Sequence, residues 1–193
     1  IYTKKYCKSI KRITMRLETG QNGSIITYNK ITPQIHPSVF ICEGVKIIGD
    51  VEIDEDSSIW YNSVIRGDVN FIRIGSQTNI QDLCLLHVTN DTHPLIIGNK
   101  VSIGHAVKLH GATINDNCLI GTGAILLDGS VINSYSLVAA GSVVLENFNV
   151  PEGTLAAGVP AKIIRELTSS ELERIRETSE NYLKYVVQYR SQL

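Results

Sequence analysis

The sequence predicts an all-β solenoid, a parallel β-helix of about six coils that ends in a C-terminal α-helix. Two observations carry this prediction. From residue 35 onward, an apolar residue recurs at every sixth position through most of the chain. Beyond residue 168 the pattern changes to the period of a helix, and Thr168-Ser-Ser-Glu171 forms a capping box at the change.

The six-residue period is the strongest pattern in the chain. Its apolar positions are Ile35, Ile41, Ile47, Ile53, Ile59, Ile65 and Phe71, then Ile74, Ile80 and Leu86, then Ile97, Ile103 and Leu109, and finally Ile114, Ile120, Leu126, Ile132, Val138 and Val144. Small or branched residues follow four positions later, namely Val39, Val45, Val51, Ser57, Ser63 and Val69, and later Cys118, Ala124, Ser130, Ser136 and Ser142. A simple strand alternates with period two and a helix with period 3.6, so this period indicates short strands separated by corners. Three such strands complete a coil of about 18 residues, and the coils stack about 4.8 Å apart.

The pattern divides the chain into four segments. We expect a partly basic N-terminal extension over residues 1–31, hexapeptide repeats over 32–150, a return segment over 151–167 and the C-terminal helix over 168–193. The extension has no apolar core of the kind a signal peptide has, so we expect a solvated tail, with a transit-peptide remnant or a membrane-surface arm as alternatives. The helix carries an apolar stripe that should pack along the solenoid or a neighbour: Leu172, Ile175, Tyr182, Leu183, Val186 and Tyr189.

Composition narrows the function classes. The formal net charge is -1, which gives no electrostatic case for binding nucleic acid. The sequence contains no run of 18 apolar residues, so no membrane span is predicted. The four cysteines lie far apart and form no CxxC pair, so neither a zinc ribbon nor a secreted disulfide scaffold is indicated. Reduced thiols in a cytosol-like compartment are the expectation.

Three histidines fall at informative positions in the repeat. His87 and His110 each follow an inward residue and lie one full coil apart, so both should point outward and stack on one edge, about 4.8 Å apart. Two imidazoles at that separation can bind one zinc ion. His105 lies on the preceding face, where it is badly placed to complete the set within one chain. A threefold assembly would bring a neighbour's His105 to the pair. The alternative is that all three are ordinary surface or interface residues.

Four further polar residues should surround the histidines. Arg66 and Asp68 point outward, and Arg66 shares an edge with His87 and His110 if residues 71–79 form one enlarged rung. Gln81 and Asp82 should lie beneath His105. The Arg66–Asp68 pair is either catalytic or an interface salt bridge, because such pairs are common at subunit contacts.

These segments resemble the γ-class carbonic anhydrases. The resemblance rests on Arg66-Gly-Asp68, Asn79-Ile-Gln-Asp82 followed by His87, Ile103-Gly-His105 and Leu109-His-Gly111, and it covers residues 32–190. It implies a left-handed solenoid that forms a homotrimer with metal sites at the subunit interfaces. The implied metal is zinc, or iron in a reducing cell, held by His87, His105 and His110, and the implied substrates are carbon dioxide and bicarbonate.

The resemblance also implies roles for the other residues. Gln81 would orient the attacking hydroxide, Arg66, Asp68 and Asp82 would organise the interface, and Tyr182 would line the site. The family has bacterial and mitochondrial members, so we expect a bacterial cytoplasmic location, with the mitochondrial matrix as the alternative.

The chain departs from the archetype of this family in its proton-transfer groups. Val69 stands where the archetype has a glutamate, and the loop Thr89-Asn-Asp-Thr-His-Pro94 lacks an acidic insertion. His93 in that loop either relays protons or only shapes the loop ahead of Pro94. Two other functions therefore stay open, a catalytically silent trimeric scaffold or assembly subunit, and an acyltransferase of the hexapeptide-repeat type.

Overall fold

A computed structural model shows a parallel β-solenoid of about seven turns followed by one α-helix. It describes residues 12–13 and 23–192, so the basic side chains of residues 1–22 in the N-terminal extension lie outside the description. The strands are β1 Arg12–Ile13, β2 Ser24–Ile26, β3 Gln34–Ile35, β4 Phe40–Ile41, β5 Lys46–Ile53, β6 Ser58–Ile59, β7 Val64–Ile74, β8 Asn79–Ile80, β9 Leu85–His87, β10 Leu95–Ile97, β11 Ser102–Ile103, β12 Lys108–His110, β13 Thr113–Ile114, β14 Leu119–Ile120, β15 Ile125–Leu126, β16 Val131–Ile132, β17 Leu137–Val138, β18 Val143–Val144, β19 Asn149–Val150, β20 Thr154–Gly158 and β21 Ala161–Glu166.

The solenoid has three faces, each a ladder of short strands from successive coils. Face A contains β9, β12, β15 and β18, and face B contains β10, β13, β16 and β19. The long strand β7 joins both, because its first half pairs with β9 and its second half with β10. Face C contains β4, β6, β8, β11, β14, β17 and β20, with β21 antiparallel at its end. The chain visits faces C, A and B in turn.

The solenoid is one turn longer than the sequence predicted. At its start, β2 pairs in parallel with β5, and Ile25 packs against the core before the first predicted repeat. At its end, β20 pairs in parallel with β17, and Ala156 fills an inward position after the last predicted repeat. Both extra strands follow the same rule as the others, with an apolar side chain directed inward.

The predicted inward residues fill the core almost without exception. The predicted inward residues from Ile41 to Val144 are buried, apart from the segment around Phe71. The small or branched residues four positions after them, from Val39 to Ser142, are buried with the same exception. There the prediction was wrong: Ile72 is the buried residue, Phe71 is half-buried, and Val69 is 39% exposed. The cause is that β5 and β7 run straight past a corner, and their register shifts between Gly49 and Val51.

The C-terminal helix α1 spans Ser169–Arg190 and begins with the predicted capping box. The Thr168 side chain accepts the backbone N–H of Glu171, and the Glu171 side chain accepts the backbone N–H of Thr168. The helix packs on face C, where Ile175 contacts Leu119 and Leu137. Tyr182 and Val186 pack further along the same face, against Phe40, Cys42 and Trp60. Among the described residues, no helix is long and apolar enough to cross a membrane.

Ile97→Ala should destabilise the protein by about 2–5 kcal/mol, because it opens a cavity in the solenoid core. Ile96 is the matched control: it is the preceding residue of β10, but its side chain is 38% exposed, whereas Ile97 is 2% exposed. Ile96→Ala should cost much less. Urea unfolding of both variants at one protein concentration measures the difference. Equal losses of stability would contradict the inward and outward assignments.

Candidate metal centre

Two histidine rings face each other on face A. The strands β9 and β12 pair in parallel with His110 opposite His87, and each histidine follows a buried leucine, so both rings point outward. Nδ1 of His87 lies 3.2 Å from Nε2 of His110, and the ring centroids are 5.1 Å apart. The stacking of parallel strands therefore brings a nitrogen of one ring against a nitrogen of the other.

This separation suits two ligands of one metal ion. With Zn–N bonds of about 2.0–2.1 Å in tetrahedral geometry, two ligand nitrogens lie about 3.3–3.4 Å apart. The observed 3.2 Å between the two rings is close to that value. Within one chain, over residues 12–13 and 23–192, no group of three or more His, Cys, Asp or Glu side chains is arranged to hold a metal ion.

His105 lies at a different place, the corner at which face C turns into face A. Its Nδ1 is 2.7 Å from Oδ2 of Asp82, which lies one coil earlier on the same corner. The His105 side chain is 51% exposed, so its other ring nitrogen can bind a group from outside the chain. The structure thus places Asp82 beneath His105, and it keeps both apart from the histidine pair.

Arg66 and Asp68 brace His87 from the preceding coil. Because Ile65 pairs with Leu86, Arg66 is level with His87 on face A. Oδ1 of Asp68 lies 3.0 Å from Nε2 of His87, and the Arg66 guanidinium donates to the other carboxylate oxygen. Burial raises the pKa of Asp68, but the hydrogen bonds from His87 and Arg66 outweigh it and hold the pKa below its ordinary value. Asp68 is therefore a carboxylate that accepts hydrogen from His87.

Gln81 and Tyr182 lie on the side of His105 and Asp82: Gln81 directly precedes Asp82, and Tyr182 is a residue of α1. Gln81 is buried, and its amide donates to Asn79 over 3.1 Å, while Asn79 donates to Ser102 over 2.8 Å. Tyr182 packs edge-on against Trp60 at 5.2 Å between ring centroids. Burial raises the pKa of Tyr182, and the negative charge of Asp82 raises it further. Among the described residues, neither side chain hydrogen-bonds to any of the three histidines.

Sequence reasoning missed two side chains that contact His110. Oδ1 of Asp128 lies 2.7 Å from Nδ1 of His110, and its Oδ2 accepts the Thr89 hydroxyl over 2.6 Å. Burial raises the pKa of Asp128, but the hydrogen bonds from Thr89 and His110 more than offset it, so the pKa is lowered. The repeat register could have indicated Asp128. Leu126 pairs with Leu109 of the preceding coil, so Asp128, two residues after Leu126, lies beside the residue that follows His110.

The loop residue His93 packs against backbone near the pair. Its backbone pairs with Thr89, and its Nδ1 lies 3.1 Å from the Thr92 hydroxyl. A side chain on Gly111 would meet the Cβ of His93 at 2.6 Å, so His93 covers that glycine. This contact favours the loop-shaping role of His93, and a proton-relay role stays a prediction.

The described cysteines are poor metal ligands at neutral pH. Cys42, Cys84 and Cys118 are buried and free of disulfides. Burial raises the pKa of each thiol to about 12. Because the thiolate is the form that binds metal, the histidines are the better candidates.

Comparison with known proteins agrees with this description. The bacterial transferase hexapeptide family (six repeats) matches residues 32–67. A Methanocaldococcus jannaschii protein named "Probable carbonic anhydrase" is 53% identical over 150 residues, which cover 78% of this chain and 94% of that protein. "Gamma carbonic anhydrase 1, mitochondrial" from Arabidopsis thaliana is 44% identical over 91% of this chain and 66% of its own length. The crystal structure of a hexapeptide transferase family protein from Anaplasma phagocytophilum has a TM-score of 0.82 at 36% identity, and the match covers 88% of this chain and 98% of that one.

Fold and matching repeats together define a hexapeptide-repeat solenoid protein. Within that class, the chain belongs to the γ-class carbonic anhydrase family.

In the Asp68→Asn variant, the free energy of unfolding should fall less steeply than in wild type as the pH is lowered in the acid range. The folded pKa of Asp68 lies below the ordinary value of about 3.9, so its carboxylate stabilises the fold above that value, and this contribution is lost as the pH falls through the folded pKa. The variant lacks this contribution and should be less stable near neutral pH. Urea unfolding at a series of pH values between about 6 and about 2 measures both effects. If wild type and variant lose stability equally as the pH falls, the lowered pKa of Asp68 is contradicted.

Proposed function

We propose that this chain catalyses the reversible hydration of carbon dioxide to bicarbonate at a metal site shared between subunits. One observation carries the proposal: Nδ1 of His87 and Nε2 of His110 lie 3.2 Å apart, at the separation of two nitrogen ligands on one ion. Membership of the γ-class carbonic anhydrase family supports the same reaction. The proposed metal is zinc, or iron in a reducing cell.

The proposed ligand set contains His87 and His110 from one chain and His105 from its neighbour. When bound, the ion supplies the Lewis acidity that makes water nucleophilic near neutral pH. Asp68 accepts the hydrogen of Nε2 of His87 and so orients that ring, while Arg66 fixes Asp68. Asp82 orients His105 in the same way through Nδ1.

Gln81 and Tyr182 are proposed to form the wall of the site nearest the neighbour's histidine pair. The Gln81 amide nitrogen donates to Asn79, and its amide oxygen accepts no hydrogen bond from the residues described. That oxygen can therefore accept a hydrogen from the attacking water or hydroxide and orient it. Tyr182 excludes water from this side, because its ring is packed against Trp60 and Tyr185.

A homotrimer is proposed because the site is incomplete in one chain. The histidine pair lies on face A, while His105 lies at the corner between faces C and A, so one chain presents the two halves of the ligand set at different places. A threefold arrangement lets the corner of one chain meet face A of the next, and three equivalent sites then form.

Specific observations bear on two alternatives, one against an acyltransferase and one in favour of a silent scaffold. An acyltransferase needs no convergence of histidines, and the hexapeptide family match over residues 32–67 reflects a fold that both classes share. A silent scaffold is favoured by Val69, a half-exposed apolar residue where a proton-transferring glutamate would lie. We propose a bacterial cytoplasmic location, with the mitochondrial matrix as the alternative, and the thiols in the described part of the chain, which are free and buried, fit both reducing compartments.

His110→Ala should abolish metal binding and activity while leaving the solenoid folded, because the ring points outward from the core. Metal analysis and a carbon dioxide hydration assay on wild type and variant test this. His36→Ala is the matched control: among the described residues the His36 ring hydrogen-bonds only to Ser38, in the segment before face C, so that variant should keep both metal and activity. Metal near one ion per chain in His110→Ala would overturn the ligand assignment. Wild type that binds zinc but hydrates no carbon dioxide would favour the scaffold.

The metal-loaded protein should be a trimer, and its metal content should depend on assembly. Light scattering combined with metal analysis measures both quantities on the same sample. Upon dilution, dissociation into monomers should release the ion, because each monomer retains only part of the ligand set. A stable monomer that holds stoichiometric zinc would contradict the shared site.

A further inference from the structure

Asp128 is held against the histidine pair by the repeat itself. It lies two residues after Leu126, and Leu126 pairs with Leu109, so Asp128 stands beside Gly111 one coil beyond His110. One carboxylate oxygen lies 2.7 Å from Nδ1 of His110, and the other accepts the Thr89 hydroxyl over 2.6 Å. Both oxygens are thus used within the site.

Comparable residues at other corners do something different. Oδ1 of Asn99 accepts the backbone N–H of Ser76 over 2.9 Å, and Oδ1 of Asp116 accepts the backbone N–H of Asn99 over 2.7 Å. Those two side chains brace one coil against the next. Among the residues described, the Asp128 carboxylate accepts no hydrogen bond from backbone, so its two oxygens serve side chains only. The carboxylate has a role beyond bracing the corner.

Gly111 provides the space that this contact needs. Its φ is +55°, and a Cβ there would lie 2.3 Å from Oδ1 of Asp128. Any side chain at this position would push the carboxylate away from His110. The glycine that follows His110 therefore permits the approach of Asp128 as well as the turn of the chain.

We propose that Asp128 is a positioning residue, which, together with Thr89, holds His110 in the tautomer that carries its proton on Nδ1. A neutral imidazole has one nitrogen that donates and one that accepts, and a carboxylate only accepts. The proton shared with Asp128 must therefore lie on Nδ1, so Nε2 keeps its lone pair. Nε2 is the atom that faces Nδ1 of His87. Asp128 thereby prepares Nε2 of His110 as a ligand.

The consequence for metal affinity rests on the proposed function, whereas the tautomer is a property of the metal-free chain. Partners of this kind fix ligand orientation, and their loss typically costs about 10–100-fold in metal affinity. Asp128→Ala should therefore weaken zinc binding by about that factor. In the metal-free variant, nitrogen NMR of His110 should show a mixture of tautomers in place of the single Nδ1–H form.

Matched variants separate positioning from general damage. Asp116→Asn keeps a side-chain oxygen at another corner, so it should change neither zinc affinity nor the His110 tautomer. Thr89→Val removes the hydroxyl that holds Asp128 and should shift both readouts in the direction of Asp128→Ala. Thr89→Ser restores the hydroxyl and should restore both. A merely structural role for Asp128 would lower stability without changing the tautomer.

The outcomes are distinguishable. If His110 keeps the Nδ1–H tautomer in Asp128→Ala, and the zinc affinity equals that of wild type, the positioning role is wrong. A wild-type protein that binds no zinc would count against the proposed function alone, and the nitrogen spectra of the metal-free chains would then decide the role of Asp128.

Discussion

The whole structure depends on the burial of one aliphatic residue in every hexapeptide. Each inward Ile, Leu or Val fixes which of its neighbours point outward, since side chains alternate along a strand. Because coils stack in parallel, residues with the same phase in successive coils lie directly above one another. Hydrophobic burial in the core therefore determines the positions of polar groups on the surface. His110 lies opposite His87 because Leu109 lies opposite Leu86.

The same constraint lets residues from four coils contribute to one small area. On face A, Arg66 lies in the first of these coils, level with His87 in the second, and His110 and Asp128 follow in the third and fourth. Each added group bonds to a neighbour in the stack: Asp68 to His87, and Asp128 to His110. Both imidazoles thus have a carboxylate behind them, while the nitrogens that face each other lie 3.2 Å apart. Two rigid strands with two carboxylate partners leave little freedom to either ring.

Much of this arrangement could be predicted from the sequence, because the six-residue period holds wherever the chain turns at every corner of the solenoid. The capping box at Thr168, the buried columns and the stacking of His87 on His110 depend only on local pattern and register. Phe71 and Val69 were misplaced because β5 and β7 pass a corner without turning, and no local signal distinguishes a straight strand from a bent one there. Asp128 was missed for another reason. At a corner, an acidic residue looks like one that braces the backbone, as Asp116 does, and only the contacts show that it serves His110.

The separation of the two half-sites on one chain links the proposed chemistry to assembly. Face A presents two nitrogens side by side, whereas His105 lies at a corner, apart from them. If a bound ion joins the two across an interface, it stabilises the trimer by mass action, and the trimer in turn raises affinity for the ion. The two equilibria are reciprocal, so neither metal affinity nor trimer stability is a property of the single chain. The buried core of the solenoid fixes the register of the strands and so places the two half-sites apart on each chain. Through that placement, the core would also determine how metal binding and trimer assembly depend on each other.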